Sequence, residues 1–454
     1  MARAGRPHVP SPQVLLKQVR FCPRSRKRIP AGKAPLLDCS KTFPKETGDP
    51  MNVLMLHNTY QIRGGEDESF DTECRILRDS GHFVETIHLH NDSIKETGAI
   101  TVALRSIWSR PSYELVDRKL RGHPFDVMHV QNFFPLLSPS VYAAARKNGV
   151  PVVQTLRNYR LLCPGTLLFR DGHVCQECVG KTVKYPSVLH ACYKKSRLGS
   201  FTVATMSGVH SLLGTWQKDV DLYVSLTEFA RKKYIEAGIA PDKIVTKSNC
   251  VYPDPGAGFG EGGFVLFVGR LSMEKGIGTL LSAWERLRPP CVLKIVGEGP
   301  ASAELRASSR NTPNIEWLGL KTASQVHDLM GAATVTVFPS EWYETFGRVA
   351  IESFAKGTPV IASRIGALAE VVNDMRTGLL FDVGNAADLA EKLAWCFHHP
   401  DELKAMRLVA RQEYEQKYTA AANCKRLMEC YELAAGLPRR NFVREPASLC
   451  TSPR

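Results

Sequence analysis

Residues 337–363 read VFPSEWYETFGRVAIESFAKGTPVIAS, a segment whose pattern of apolar and polar residues predicts the fold class. Its apolar ends predict two short buried strands, Thr334–Phe338 and Val360–Ala362. The segment between them predicts a helix that begins near Gly347. A strand, a helix and a second strand in this order predict neighbouring parallel strands in one sheet.

The same alternation continues on both sides of this stretch. Further strands are predicted at Asp126–Val130, Val150–Thr155, Asp221–Leu226, Phe264–Val268, Cys291–Val296, Ile315–Leu318 and Gly378–Phe381. The fold class is therefore α/β, with two Rossmann-like, doubly wound parallel-sheet domains. Ligands of such sheets bind beyond the carboxyl ends of the strands, so we expect the ligand in a cleft between two facing domains.

Changes in composition predict the domain boundaries. We expect a first domain at 51–250 with a cysteine-rich insertion at 160–195, and a linker at 251–263 that is rich in Pro, Gly and Asp. The second domain should span 264–400, followed by helices at 401–437.

The two ends of the chain differ from its body. Residues 1–50 are rich in Pro, Lys and Arg without periodicity, which predicts a disordered basic tail; the alternative is that translation starts at Met51. Residues 438–454 form a second tail. Residues 1–50 carry 11 Lys/Arg and 3 Asp/Glu, and 438–454 carry 4 and 1, so the tails hold +8 and +3 of the net charge of +14. The remaining +3 is ordinary, and the body argues against a nucleic-acid partner.

Bulk composition indicates a cytoplasmic enzyme. The 454 residues are 44% hydrophobic and 23% charged, without an apolar run long enough to cross a bilayer. Thirteen cysteines, an odd number, fit free thiols in a reducing compartment better than a disulfide framework.

Two motifs in the second half carry chemistry. In GRLSMEKG, residues 269–276, Arg270 and Lys275 follow a strand and suit a diphosphate, although each alone also fits a solvated surface charge. In ETFGRVAIE, residues 344–352, the predicted helix start would present free backbone N–H groups to a phosphate. The donors there are the amides of Thr345, Phe346 and Gly347. Glu344 and Glu352 lie on either side of this helix start and could accept hydrogen bonds from sugar and ribose hydroxyls, or be solvated glutamates.

Together these motifs resemble the retaining glycosyltransferases of glycosyltransferase family 4, the group 1 glycosyl transferases, which have the GT-B fold. FVGRLSMEKG, IVGEGP, VFPSEWYETFGRVAIESFAKGTPVIAS and TGLLF occur in the family's order. The resemblance implies that Arg270 and Lys275 bind the donor pyrophosphate and that Glu344 holds the sugar. It also implies that Glu352 holds the ribose, that the amides of Phe346 and Gly347 bind the distal phosphate, and that catalysis needs no divalent metal. Arg270, Lys275 and Glu344 are thus the predicted catalytic residues.

In the first half, the resemblance assigns Gly64 and Gly65 to a glycine-rich donor loop, with a plain turn as the alternative. His129 ends a strand and is expected to face the cleft, with a structural role equally open. Arg157 stands where many relatives carry His near the reacting sugar. His129 and Arg157 are therefore candidate contacts of the acceptor or the sugar.

A cysteine cluster predicts a structural zinc site. Cys163, Cys175, Cys178 and Cys192 are separated by 11, 2 and 13 residues, which permits four thiolate ligands; four free thiols are the alternative. Asp171-Gly172 within the cluster predicts a hairpin turn.

The resemblance implies transfer of a hexose-type sugar, with retention of anomeric configuration, from a nucleotide sugar to a saccharide or lipid-linked acceptor. This reaction would serve cell-surface polysaccharide or glycoconjugate synthesis, with peripheral contact at the inner face of the membrane. Two alternatives remain open at this point: a nucleotide-sugar epimerase of the same fold, and a catalytically inactive carbohydrate-binding protein.

Overall fold

Two parallel sheets of six strands each organise the chain, as the alternation of strands and helices predicts. The computed structural model describes residues 49–61, 64–289 and 291–436. The predicted tails therefore lie outside the described residues, apart from Asp49 and Pro50.

The first sheet has the order β2-β1-β3-β4-β7-β8. Its strands are β1 (Asn52–Thr59), β2 (Phe83–His90), β3 (Val127–Asn132), β4 (Val152–Leu156), β7 (Leu222–Ser225) and β8 (Ile244–Thr246). The short strands β5 (Phe169–Arg170) and β6 (His173–Val174) form a separate antiparallel hairpin. Asp171 and Gly172 both have positive φ in its two-residue loop, which confirms the predicted turn.

The second sheet has the order β11-β10-β9-β12-β13-β14. Its strands are β9 (Phe264–Val268), β10 (Val292–Val296), β11 (Ile315–Gly319), β12 (Val335–Phe338), β13 (Val360–Ser363) and β14 (Gly378–Phe381). The direction of winding reverses between β9 and β12, which pair side by side. In open α/β sheets this is the place where ligands bind.

Helices cover both sheets. In the first half these are α1 (Gly65–Asp79), α2 (Ala99–Ile107), α3 (Arg110–Gly122), α4 (Ser140–Lys147), α5 (Tyr185–Leu189), α6 (Arg197–Leu213), α7 (Thr215–Lys218) and α8 (Glu228–Glu236). In the second half they are α9 (Ile277–Leu287), α10 (Ser302–Ser308), α11 (Ala323–Ala332), α12 (Arg348–Ala355), α13 (Leu368–Val371), α14 (Ala386–His398), α15 (Pro400–Lys417) and α16 (Ala420–Gly436). Every residue of β3, β4, β7, β12, β13 and β14 is buried, as expected for sheets covered on both faces.

The last two helices belong to different cores. Tyr414 of α15 packs with Phe354 of α12 in the second half of the chain. Leu427 and Tyr431 of α16 instead pack with Val53 and Val153 under the first sheet. The chain therefore crosses back to its first sheet before it reaches the end of the described residues. Within those residues, the helices lack the length and apolar character that crossing a bilayer requires.

Candidate active site

The two motifs of the second half meet at one edge of the second sheet. GRLSMEKG follows β9, and the loop from Pro339 to Gly347 follows β12. Since β9 and β12 are paired and parallel, both loops leave the same edge. The backbone N–H of Glu341 donates to the carbonyl of Glu274 at 2.9 Å and ties the loops together.

Glu344 is the centre of this edge. Its Oε1 accepts hydrogen bonds from Lys275 Nζ at 2.6 Å, Ser340 Oγ at 2.7 Å and Trp342 Nε1 at 2.9 Å. In the described residues its Oε2 accepts no hydrogen bond. Lys275 Nζ also lies 5.2 Å from the centroid of the Trp342 ring. The network fixes Lys275 and Glu344 side by side and leaves one carboxylate oxygen for a ligand.

Glycines make the turn beside Lys275 possible. Gly276 has φ +64°, and a Cβ added there would lie 1.8 Å from the carbonyl oxygen of Pro339. Gly297 of VGEGP has φ +136°, and its Cβ would lie 1.9 Å from the carbonyl oxygen of Gly269. Any side chain at either position would separate the loops, so these glycines serve close backbone packing.

Arg270 lies two residues beyond the end of β9 and is exposed. Among the described residues, its guanidinium makes no hydrogen bond or ion pair. Arg270 and Lys275 thus differ, because Lys275 is already held by protein groups whereas Arg270 is open to solvent.

The helix after the second motif begins close to its predicted position. α12 runs from Arg348, and Gly347 is its N-cap with φ +107°. The amides of Thr345, Phe346 and Gly347 donate to no group in the described part of the chain. They lie at the positive end of the helix, where backbone N–H groups attract anions.

Arg348 is a residue that the sequence analysis missed. Its Nε donates to Glu352 Oε1 at 2.6 Å, and its Nη1 lies 3.4 Å from the carbonyl oxygen of Gly65 and 3.5 Å from Ser69 Oγ. Arg348 therefore bridges predicted site residues of both halves, Glu352 and Gly65. The only signal in the sequence was its place between the two glutamates of ETFGRVAIE.

Gly64 and Gly65 lie where the first helix starts. Gly64 is the N-cap of α1, and its backbone N–H donates to Asp67 Oδ2 at 2.9 Å. Asp67 Oδ1 in turn lies 2.8 Å from His57 Nε2, in the strand before the turn. A Cβ on Gly64 would meet nothing within 4 Å, so sterics among the described residues do not demand glycine there.

The loop after β12 docks on the first half of the chain. Thr345 Oγ1 donates to the carbonyl of Arg157 at 2.9 Å, and Thr227 Oγ1 donates to the carbonyl of Thr345 at 3.2 Å. Tyr159 Oη donates to the carbonyl of Glu344 at 3.3 Å. The predicted donor groups are therefore positioned by contacts from residues more than 100 positions away in the chain.

His129 does not face a cleft, so that expectation is wrong. Its side chain is 0% exposed, with Nδ1 2.8 Å from Tyr431 Oη and Nε2 2.7 Å from Thr155 Oγ1. Burial, with smaller contributions from Lys247 and Arg157, lowers its pKa to about 3. His129 is a neutral core residue that joins α16 to the first sheet.

Arg157 is also buried. Its guanidinium donates through Nη1 to Asn249 Oδ1 at 2.8 Å and lies 3.2 Å from Glu73 Oε1 through Nη2. Lys247 Nζ donates to the same oxygen of Glu73 at 2.8 Å. Burial alone would raise the pKa of Glu73, but the charges of Lys247 and Arg157 outweigh it and lower the pKa to about 2. Among the described residues, the hydrogen bond between Arg157 and the loop after β12 is made by its backbone carbonyl.

The sequence analysis also missed a group of polar side chains in the first half, formed by Tyr60, Glu66 and Asn158. Tyr60 Oη donates to Glu66 Oε2 at 3.1 Å, and Asn158 Nδ2 donates to Glu66 Oε1 at 3.1 Å. Arg160 is buried nearby, 4.2 Å over the Phe134 ring, and its Nη1 has no hydrogen-bond partner among the described residues. Tyr60 and Asn158 follow β1 and β4, so this group lies at the carboxyl edge of the first sheet, the edge where ligands bind.

The four cysteines of the insertion are close enough to influence one another. The pKa of Cys178 is raised to about 11 by burial and then by Cys163, and Cys192 also acts on it. Burial also raises the pKa of Cys163, against backbone N–H groups of Leu168 and Gly165 that favour its thiolate. No group of three or more His, Cys, Asp or Glu has an arrangement for a metal ion in the ranges that the structure describes. The zinc site stays a prediction.

Comparison with known proteins supports one family. Residues 256–413 match the family model described as glycosyl transferases group 1. A sulfoquinovosyl transferase of Arabidopsis thaliana is 24% identical over 90% of this chain and 78% of its own length. A phosphatidyl-myo-inositol mannosyltransferase of Mycobacterium leprae is 28% identical over 54% of this chain and 67% of its own length.

Solved structures share the fold. Sucrose-phosphate synthase from Thermosynechococcus elongatus superposes with a TM-score of 0.63 at 17% identity, over 84% of this chain and 98% of that one. HepE from Anabaena, solved in complex with UDP-glucose, gives a TM-score of 0.60 at 16% identity over the same shares. The chain has the fold of the GT-B glycosyltransferases, and residues 256–413 match the family model of the group 1 glycosyl transferases.

Proposed function

We propose that this protein transfers a hexose-type sugar from a nucleotide-sugar donor to a saccharide or lipid-linked acceptor, with retention of anomeric configuration. The observation that carries the proposal is the pairing of Lys275 Nζ with Glu344 Oε1 at 2.6 Å, at the edge where β9 and β12 end. A cation for a phosphate and a carboxylate for sugar hydroxyls stand side by side there.

The donor diphosphate would meet three sources of positive potential. Arg270 offers an exposed guanidinium without a protein partner among the described residues, and Lys275 offers an ammonium. The amides of Thr345, Phe346 and Gly347 add the positive end of α12. Groups already oriented toward developing charge give the largest electrostatic contribution to catalysis, because they need not reorganise as the bond breaks.

The two glutamates would bind the rest of the donor. Glu344 has an oxygen available for the hydroxyls of the sugar, while Lys275 and Ser340 hold the other. Glu352 would bind the nucleotide ribose, with Arg348 fixing its carboxylate at 2.6 Å. Gly64 and Gly65 would bring the backbone of the first half close to the donor phosphate.

The proposed reaction breaks the bond between the anomeric carbon and the diphosphate oxygen. The acceptor hydroxyl attacks from the face that the diphosphate leaves, so the new bond keeps the original configuration. The departing phosphate oxygen takes the acceptor's proton, and a separate protein base is not required. Arg270, Lys275 and the helix amides stabilise the negative charge that builds on the leaving group, in place of a divalent metal.

The first half of the chain would bind the acceptor. Glu66, Asn158 and Tyr60 present polar atoms at the carboxyl edge of its sheet. The name of one relative, a phosphatidyl-myo-inositol mannosyltransferase, favours an acceptor with a lipid part. We extend the proposal to peripheral contact with a membrane and to synthesis of cell-surface polysaccharides or glycoconjugates.

Turnover of nucleotide sugars tests the proposal. A thermal-shift screen of UDP-, GDP- and ADP-sugars selects the donor, since a ligand at 100 times its dissociation constant stabilises by ~2.7 kcal/mol. NMR of the transferred or hydrolysed sugar then reports the anomeric configuration. An α-linked product from an α-linked donor supports the proposal. Inversion would overturn retention, a product epimerised on the nucleotide would identify an epimerase, and donor binding without turnover would identify a binding protein.

A further inference from the structure

The outer face of α6 is apolar. This helix, residues Arg197–Leu213, reads RLGSFTVATMSGVHSLL and has a single Lys or Arg and no Asp or Glu. Its inner face buries Val203 and Met206 against the first sheet. Its outer face exposes Leu198, Phe201, Val209, Leu212 and Leu213, with Phe201 57% and Leu212 79% exposed. A surface helix is normally polar on its outer face, so a helix that is apolar all round calls for a second apolar environment.

Two neighbouring helices continue this surface. α2 and α5 both pack against α6, and His210 Nε2 of α6 lies 2.9 Å from the carbonyl oxygen of Ile107 at the end of α2. α2 exposes Ile100 and Leu104, and α5 exposes Tyr185 and Leu189. We name the exposed apolar residues of α2, α5 and α6 the apolar face. Exposed apolar side chains on three helices that pack together indicate a site of association with a protein or a membrane.

The segment that contains α5 and α6 is rich in positive charge, and the acidic residue before it, Glu177, pairs with Arg170. Between residues 178 and 218 the chain has six Lys/Arg and no Asp or Glu. Five of the six are exposed: Lys181, Lys194, Lys195, Arg197 and Lys218. Arg105 on α2 is exposed as well. An apolar surface surrounded by cations suits a bilayer that carries anionic headgroups, because the apolar side chains enter the boundary of the acyl chains while the cations meet phosphate.

We infer that the apolar face docks the first half of the chain onto an anionic lipid bilayer. A second copy of the chain fits less well, because a symmetric dimer through this face would place the same cations opposite one another. Docking itself does not depend on the proposed function. Its purpose does, because docking would bring the active site to a lipid-linked acceptor.

Vesicle binding tests the inference. The full-length protein, without donor, is sedimented with phosphatidylcholine vesicles or with vesicles that also contain phosphatidylglycerol. The test variant is Phe201→Asp with Leu212→Asp. The control is Leu408→Asp, which changes an apolar side chain on α15 that is 68% exposed. We expect the wild type and the control to bind anionic vesicles and the double variant to lose at least about tenfold in affinity, because two apolar side chains no longer enter the bilayer.

Charge reversal supplies an independent variant. Lys194→Glu with Lys195→Glu should weaken binding to anionic vesicles and reduce its dependence on salt, because two cations no longer meet lipid headgroups. Melting temperatures of both double variants check that the fold is kept. If one variant fails to fold, the other still decides the result.

Three results would overturn the inference: no binding of the wild type to anionic vesicles at low salt, equal losses in Phe201→Asp/Leu212→Asp and Leu408→Asp, or a dimer that the apolar-face variant dissociates without a change in vesicle binding. None of these depends on catalysis. Donor hydrolysis, measured separately on the same protein preparations without vesicles, tests the proposed function and does not depend on vesicle binding.

Discussion

Two charged groups, one in each half of the chain, differ in how their residues come together. In the second half, Lys275 and Glu344 stand in two short loops that directly follow paired strands. In the first half, Glu73, Arg157 and Lys247 converge from positions as much as 174 residues apart and are buried. The first arrangement keeps its charges near solvent, where a ligand can reach them. In the second arrangement the charged groups pair with one another inside the protein, where they stabilise the fold.

This difference explains why Lys275 and Glu344 lie together at one edge, whereas His129 and Arg157 are buried. A loop that directly follows a strand of a parallel sheet lies at the carboxyl edge of that sheet, which is the ligand-binding edge. This holds regardless of how the rest of the chain packs. A polar residue within a strand or beside it, such as His129, can point toward the cleft or into the core. The partner that decides this, Tyr431, lies 302 residues away.

The largest effect should come from breaking the buried group of the first half. Glu73→Gln leaves the charges of Lys247 and Arg157 buried without their counter-charge, and we expect a loss of about 3–5 kcal/mol in the free energy of unfolding. Denaturant titration measures it, with Glu391→Gln on exposed α14 surface as the control. A loss below that of an ordinary surface substitution would contradict a structural role.

The shifted pKa values of Glu73 and His129 predict how the free energy of unfolding depends on pH. Glu73 has its pKa lowered from 4.5 to about 2, so its contribution is present above pH 4.5 and is lost as the pH falls toward about 2. His129 has its pKa lowered from 6.5 to about 3, so the unfolded chain binds its proton first and stability also falls between those values. Denaturant titrations across this range should show a decline that Glu73→Gln makes shallower at its acid end.

The next effect concerns the cations of the second half. Arg270→Ala and Lys275→Ala should each lower turnover by roughly 100- to 1000-fold, equivalent to ~2.7–4 kcal/mol, because the charge on the diphosphate grows in the transition state. Steady-state kinetics measure this effect, with Arg286→Ala as a control for an exposed arginine on α9. Lys275→Ala should also lower the melting temperature, since Glu344 loses its ion pair, whereas Arg270→Ala should not. Normal turnover in both variants would show that the donor site lies elsewhere.

The cysteine cluster should show an intermediate effect. If Cys163, Cys175, Cys178 and Cys192 bind zinc, the purified protein contains about one equivalent, and Cys178→Ser lowers both the metal content and the stability, the latter by about 2 kcal/mol. Elemental analysis and thermal unfolding measure the two quantities. Cys291→Ser, outside the cluster, is the control. Purified protein without zinc, together with a Cys178→Ser variant as stable as the wild type, would contradict the zinc site.

The smallest effect should come from Glu352. The ribose changes little during the reaction, so Glu352→Ala should mainly raise the Michaelis constant for the donor, by about tenfold, with turnover nearly kept at saturation. Arg348→Gln provides a comparison, because it keeps Glu352 but removes the group that holds its carboxylate at 2.6 Å. We expect a smaller rise in the same constant. A fall in turnover without a change in that constant would argue against ribose binding.

Elements that depend on neighbouring residues could be predicted from the sequence. Buried apolar runs separated by helices predicted both parallel sheets, because each strand must be covered on two faces. The Asp171-Gly172 turn was predicted for a local reason, since glycine permits backbone angles that other residues avoid. The start of α12 beside Gly347 was likewise predicted from the neighbouring sequence. The loops after β9 and β12 could each be assigned to the carboxyl end of a strand, and the pairing of these strands in the structure brings the loops together.

Which polar side chains lie at the ligand-binding edge and which lie in the core depends on contacts between distant parts of the chain. Periodicity predicted a helical end for the chain but could not tell that α16 packs under the first sheet, where Tyr431 holds His129. Arg348 acquired its role because the start of α12 lies against Gly65, a contact between residues 283 positions apart. These contacts depend on which apolar surfaces, distant in the sequence, are buried against one another during folding. A local pattern of residues does not contain that information.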